Sequence, residues 1–196
     1  MASTDFKYNI EADGSITITG YLKKLKKVVI PEKIDKKPVK AIGQYAFAFK
    51  DITSLTLPDT LEVIRFEAFK GNSIKTLTLP NSVRKVSDNA FENNELTTLT
   101  LSSHLIRIGG HAFANNRLTE LVIPEGVKYI EYYAFYNNDL THVIFPESLQ
   151  SIDRQAFTQN NLTTVALPDH TIIKESEDIK SFDDIVTFEA EGFFAF

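Results

Sequence analysis

Cysteine is absent from this 196-residue chain. Its absence excludes a disulfide framework, a thiolate metal site and a cysteine nucleophile. It leaves the compartment open, because a large enough core replaces disulfides in an oxidising setting. Long apolar runs are missing too, and none approaches the roughly 18–20 residues of a membrane helix. The opening MASTDFKYNI has no apolar stretch of the signal-peptide kind. Positive charge is not in excess, since the formal net charge is −5. That disfavours nucleic-acid binding, which needs a basic face. No G-x-S-x-G, Walker or G-x-G-x-x-G string occurs. Histidine is scarce, at His104, His111, His142 and His170, and no pair has metal-ligand spacing. The expectation is a chain with no catalytic residue, no metal and no cofactor, and with no membrane insertion.

What is present suits a packed core: 43% hydrophobic and 24% charged side chains. Charge is unevenly spread. Residues 1–50 hold ten Lys/Arg against five Asp/Glu, whereas residues 169–196 hold two against eight. Lys23, Lys24, Lys26 and Lys27 read as a solvated end face or a contact for an acidic partner.

A repeat organises the rest. Ala-Phe occurs at 46, 68, 90, 112, 134 and 156, a step of 22 residues each time. A leucine-like triplet keeps the same step, from Ile52, Leu55, Leu57 through Leu96, Leu99, Leu101 to Leu162, Val165, Leu167. Proline follows at 58, 80, 124, 146 and 168, with Ser102 the exception. Two more apolar columns run Leu61, Val83, Leu105, Val127, Leu149 and Ile64, Val86, Ile108, Ile130, Ile152. Asparagine closes each unit at 72, 94, 116, 138 and 160. In L-x-x-L-x-L the last three positions alternate, the period of a strand. Stacked copies place each strand about 4.8 Å from the next, which predicts a parallel sheet on one face of a solenoid. Proline cannot donate to a ladder and should end each strand. Ala-Phe should mark a tight return, with Ala admitting the neighbouring backbone and Phe filling the interior. The asparagines should bond backbone groups in the turns.

These residues resemble the BspA-like leucine-rich repeats of bacterial and some protozoan surface proteins. The matching unit is LTTLTLSSHLIRIGGHAFANNR, and the upstream DGSITITGY with VVIPEKIDKKPVKAIGQYAFAFK is similar to that family's opening segment. The resemblance spans about residues 13–168. The ordinary leucine-rich pattern wants Asn or Cys at its ninth position, where this chain has Thr60, Ser82, His104, Gly126, Ser148 and His170. This departure argues against the class with long convex helices. The expected fold is therefore a β-rich leucine-rich-repeat solenoid, with short strands, turns or 3₁₀ segments on the convex side.

Its expected organisation is an N-terminal β-hairpin cap over 1–24, repeats over 25–168, and a C-terminal cap or cut-short tail over 169–196. In the hairpin, Phe6, Tyr8 and Ile10 alternate before the Asp13-Gly14 turn, and Ile16 and Ile18 alternate after it. The repeat phase is lost after Pro168. Residues 174–186 could form a helix with Ile179, Phe182, Ile185 and Val186 inward, before the apolar tail 192–196.

Invariant positions build such a fold, and function should sit where the units differ. The outward strand rows begin as a threonine ladder and turn mixed at Glu120, Val122, His142 and Ile144. Four of the seven tyrosines, Tyr129, Tyr132, Tyr133 and Tyr136, fall in one coil where other coils are mostly polar. Tyrosine is favoured at binding hot spots, and neighbouring rings also pack on each other. Glu125, Glu147 and Asp169 stack one coil apart, as a solvated row or a weak calcium site. The resemblance implies a non-catalytic protein-binding or adhesion module at the cell surface or outside the cell. Its partner would be a protein or a host-surface macromolecule, and the chain a monomer or weakly self-associating. Two other readings stay open: a spacer that self-associates end to end, and a carbohydrate-binding or enzyme-accessory domain.

Overall fold

The computed structural model describes residues 5–174 and the strand Phe188–Ala190. About seven coils stack into a solenoid with no α-helix among the described residues. Each 22-residue unit contributes two strand stretches and one turn side.

The longest sheet is built on the Ile/Val column. It runs from the hairpin Phe6–Ile10 and Ile16–Tyr21 through Lys37–Ile42, Val63–Ile64, Lys85–Val86, Arg107–Ile108, Tyr129–Ile130 and Ser151–Asp153 to Ile172–Lys174. The hairpin is antiparallel and every later step along this path is parallel. Ile42, Ile64, Val86, Ile108, Ile130 and Ile152 meet in one row. β-Branched side chains suit a pleated, half-buried surface, and they keep this ladder continuous although four of its nine strands hold only two residues.

The L-x-x-L-x-L segments also form parallel strands, but they pair two by two. Lys27–Val29 pairs with Ser54–Thr56, Thr76–Thr78 with Thr98–Thr100, Glu120–Val122 with His142–Ile144, and Val165–Leu167 with Phe188–Ala190. In the first three pairs the central residue is buried in the first strand (Val28, Leu77, Leu121) and half-buried in the second (Leu55, Leu99, Val143). The continuous sheet therefore lies on the side expected to hold only short segments.

The turn side is the most uniform part of the molecule. Residues at Tyr45, Glu67, Asn89, His111 and Tyr133 have positive φ between 50° and 57°. A second left-handed column runs Phe49, Gly71, Asn93, Asn115, Asn137 and Gln159. Between these columns successive N–H groups take turns. Ala68 N–H folds back to Arg65 C=O at 3.2 Å, and Phe69 N–H reaches the next coil at Ala90 C=O at 2.8 Å. The same inter-coil bond recurs from Phe47, Phe91, Phe113 and Phe135 at 2.8–2.9 Å. Phe47, Phe69, Phe91, Phe113, Phe135 and Phe157 are fully buried and stack with centroids 5.0–5.6 Å apart. The alanine beside each is equally closed, which is why a larger side chain has no place there.

Two polar ladders join the coils. Asn72 Oδ1 accepts from the N–H of Lys50 and Ile52, while its Nδ2 donates to the carbonyls of Phe47 and Phe69. Asn94, Asn116, Asn138 and Asn160 repeat this bridge. Such bonds satisfy turn backbone that is otherwise buried and unpaired. On the other ladder Thr60, Ser82 and Ser148 donate a hydroxyl to the carbonyls of Val39, Leu61 and Val127. The coil with His104 at that position uses Ser102, which donates to Val83 C=O at 2.7 Å. The interruption of the proline column is thus a compensation: the hydroxyl moves two residues back.

At the N-terminal end, Phe6 and Tyr21 of the hairpin cover Phe47, with centroids 6.2 and 5.4 Å from it. The extra residues of the first coil form a small hairpin, Lys33–Ile34 on Lys37–Ile42, turning at Asp35 and Lys36 with φ 49° and 67°. The ladder does not stop at Pro168. Ile172–Lys174 pairs with Ser151–Asp153 after a step of 21 instead of 22 residues. Lys174 closes a strand, so no helix starts there, and the remainder of the expected helix and the tail 192–196 lie outside the described residues.

Candidate binding surface

On the L-x-L face the outward rows are exposed along their length. Ser54, Thr56, Thr76, Thr78, Thr98 and Thr100 present hydroxyls to solvent. Further on, the register sets Glu120 opposite His142 and Val122 opposite Ile144. Val122 is 60% exposed and Ile144 63%. Two large β-branched side chains thus lie side by side in water, flanked by an acid and an imidazole. His142 Nδ1 lies 3.0 Å from Thr141 Oγ1. The structure brings these four candidate residues into one patch.

The four tyrosines do not join that patch, and they divide. Tyr129 lies on the long sheet, where its hydroxyl donates to Gln150 Oε1 at 2.8 Å and Lys174 Nζ sits 5.9 Å from its ring. Tyr132, Tyr133 and Tyr136 form a ring cluster at the turn side. Tyr133 stacks on His111 at 5.0 Å and meets Tyr136 edge-on at 5.2 Å. Tyr132 meets His111 edge-on at 5.3 Å and covers Gly110, where a Cβ would fall 2.6 Å from its ring. Tyr132 alone of the four is exposed, at 41%, and the others are half-buried. Burial, helped by Asp88 and Glu131, raises the Tyr132 phenol above its ordinary pKa. Burial likewise lowers the His111 imidazole; Lys70 acts in the same sense, and Glu92 and Asp88 oppose it. His111 was not among the candidates, yet it stands 22 residues before Tyr133 in the same column.

The other candidates have structural partners. Glu125 accepts the N–H groups of Glu147 and Ser148 at 3.1 and 3.3 Å, tying one coil to the next. His104 Nδ1 lies 2.7 Å from Asn81 C=O. Lys23 is 3.5 Å from Asp5, while Lys24, Lys26 and Lys27 are exposed. Among the described residues no three His, Cys, Asp or Glu side chains are grouped so as to hold a metal ion. No helix among them is long and apolar enough to cross a membrane.

Comparison with solved structures places the coil stack among bacterial proteins. A leucine-rich repeat protein of T. pallidum is 25% identical, with a TM-score of 0.64 over 85% of this chain and 74% of that one. A leucine-rich cell surface protein of Faecalibacterium prausnitzii is 23% identical, with a TM-score of 0.70 over 95% of this chain and 53% of that one. The pneumococcal vaccine antigen PcpA is 20% identical, with a TM-score of 0.64 over 98% of this chain. This chain spans about half the length of the last two, 53% and 50%. Comparison with curated proteins gives no match. The model of the BspA-type leucine-rich repeat region matches residues 40–163 in six copies. With its phenylalanine stack, asparagine bridges and 22-residue step, the chain belongs to the BspA-type leucine-rich repeat family.

Proposed function

We propose that this protein is a non-catalytic module that binds a macromolecular partner at a bacterial cell surface. The observation that carries this reading is the Val122–Ile144 patch: paired, strongly exposed apolar side chains on a frame whose other outward rows are mostly threonine. Leaving such groups in water without use is unfavourable, and a partner that covers them recovers roughly 25 cal/mol per Å² of apolar surface. The surface setting is supported by the likeness to a cell surface protein and to a vaccine antigen. A protein partner is favoured over a sugar because the patch offers apolar area flanked by one acid and one imidazole.

The test is retention of the labelled domain on intact host cells, with and without prior protease treatment of those cells. Val122→Ser with Ile144→Ser is expected to reduce retention at least five-fold while leaving the melting temperature close to wild type. Equal retention of both proteins contradicts the reading.

A further inference from the structure

The outward face of the long sheet carries a second feature, unrelated to the Val122–Ile144 patch. Two adjoining hollows of about 630 and 440 Å³ open on it and share Phe66, Lys85 and Ser87. Their charged lining is four cations, Arg65, Arg84, Lys85 and Arg107, against two acids, Glu11 and Asp88. This excess stands on a chain whose net charge is −5. The strand register causes it. Lys85 pairs with Arg107 in the next coil, so two cations emerge side by side, about 4.8 Å apart at the backbone. Like charges placed so are unfavourable unless something neutralises them.

Internal partners relieve part of this. Arg107 Nε is 3.0 Å from Glu131 Oε1. Asp88 is engaged, since its Oδ1 accepts the N–H of Gly110 at 3.0 Å. Arg65, Arg84 and Lys85 have no acidic partner among the described residues, and all three are exposed. The hollows are also partly apolar. Phe66 lies between them, Val63 lines the first, and Ile106, 51% exposed, lines the second.

We infer that this face is a docking site for a short acidic peptide segment that also carries apolar side chains. The three unpaired cations supply attraction and on-rate. Phe66, Val63 and Ile106 supply area for the apolar side chains. A sulfated polysaccharide fits less well. Its charge recurs at every repeat, so the Glu11 and Asp88 carboxylates repel it, and it brings no apolar side chain for Phe66 and Ile106. A peptide places its acids beside the cations and keeps neutral groups against the two carboxylates.

Fluorescence anisotropy tests this with the full chain and labelled octapeptides. The probes are alternating Asp-Leu, alternating Asp-Ser and alternating Lys-Leu, with heparin as the polysaccharide arm. The Asp-Leu peptide is expected to bind best, and more weakly as salt rises from 50 to 300 mM. Arg65→Ser with Lys85→Ser is expected to weaken it about ten-fold, with an unchanged melt because both side chains are exposed. Lys85→Glu is expected to improve binding of the Lys-Leu peptide. Asp-Ser binding as tight as Asp-Leu overturns the apolar half of the inference. Indifference to the double substitution, or heparin binding with no peptide binding, overturns it entirely. Loss of cell retention is not the readout, so failure here leaves the Val122–Ile144 reading standing, and the reverse.

Discussion

The turn side and the L-x-L face are built by the same 22-residue step, yet they differ in how much each position is constrained. On the turn side each stacked phenylalanine from Phe69 to Phe135 has a phenylalanine above and below, Asn72, Asn94, Asn116, Asn138 and Asn160 each tie two coils, and the alanine before each stacked ring is buried. On the L-x-L face the outward residues touch only their strand neighbours, so threonine, glutamate, valine, histidine and isoleucine all occur there. A solenoid position is fixed by what its two neighbouring coils leave room for. Where they leave open solvent, the residue is free to serve a partner.

The sharpest way to break this contrast is to empty the phenylalanine stack at its middle. Phe91→Ala removes a fully buried ring with neighbours on both sides, and a loss of about 3–5 kcal/mol is expected by urea denaturation. A loss below about 1 kcal/mol would mean the stack is not a continuous core. Next comes Asn94→Ala, which removes the acceptor of the buried Ile74 N–H and one of the two amide donors to each of the Phe69 and Phe91 carbonyls, which keep Asn72 and Asn116. At about 1–3 kcal/mol for leaving one buried group unsatisfied, the expected loss is about 1–3 kcal/mol. Thr98→Ser on the exposed row, measured alongside, is expected within about 0.5 kcal/mol of wild type.

The ring cluster sharpens the contrast within one coil. Tyr133 is half-buried against His111 and Tyr136, so Tyr133→Ala is expected to destabilise by about 1–2 kcal/mol. Tyr132→Ala, at the exposed edge, is expected to lose less than half of that. Equal losses would show that both rings pack alike. The smallest effect concerns pH. His111 has its folded pKa lowered by burial, so the unfolded chain takes up its proton at higher pH than the folded one. Stability is then unaffected by this group above the ordinary histidine range and falls as pH drops through it. His111→Gln is expected to flatten the melting temperature between pH 7 and 5, and an unaltered slope would assign the slope to other groups.

Much of this fold was legible because its inward positions repeat without error. The Ala-Phe, Asn and Ile/Val columns gave the coil length, the core and the bridges directly. The side that carries the continuous sheet was not legible. Two-residue strands such as Lys85–Val86 are too short to display alternation, whereas L-x-L displays it and pairs only two by two. The role of Ser102 was hidden because a hydroxyl replacing a proline reads as an interruption until its bond to Val83 is seen. The continuation past Pro168 was hidden by the single residue missing from the 21-residue step. Glu120, Val122, His142 and Ile144 were legible as a patch because parallel register follows from the repeat. Arg65, Arg84 and the Lys85–Arg107 pair were not, since they occupy three different columns and meet only across the face of the sheet.

The account rests on interchangeable coils, and excising one tests that most directly. Deleting residues 94–115 joins Asn93 to Asn116 and removes one 22-residue unit, leaving every column in phase. The account predicts a folded, cooperatively melting protein with a lower melting temperature and an unchanged circular-dichroism line shape. Deleting only 105–115 puts every later column half a turn out of phase and is expected to abolish the cooperative melt. A protein that unfolds after the 22-residue excision, or tolerates both deletions alike, would contradict it.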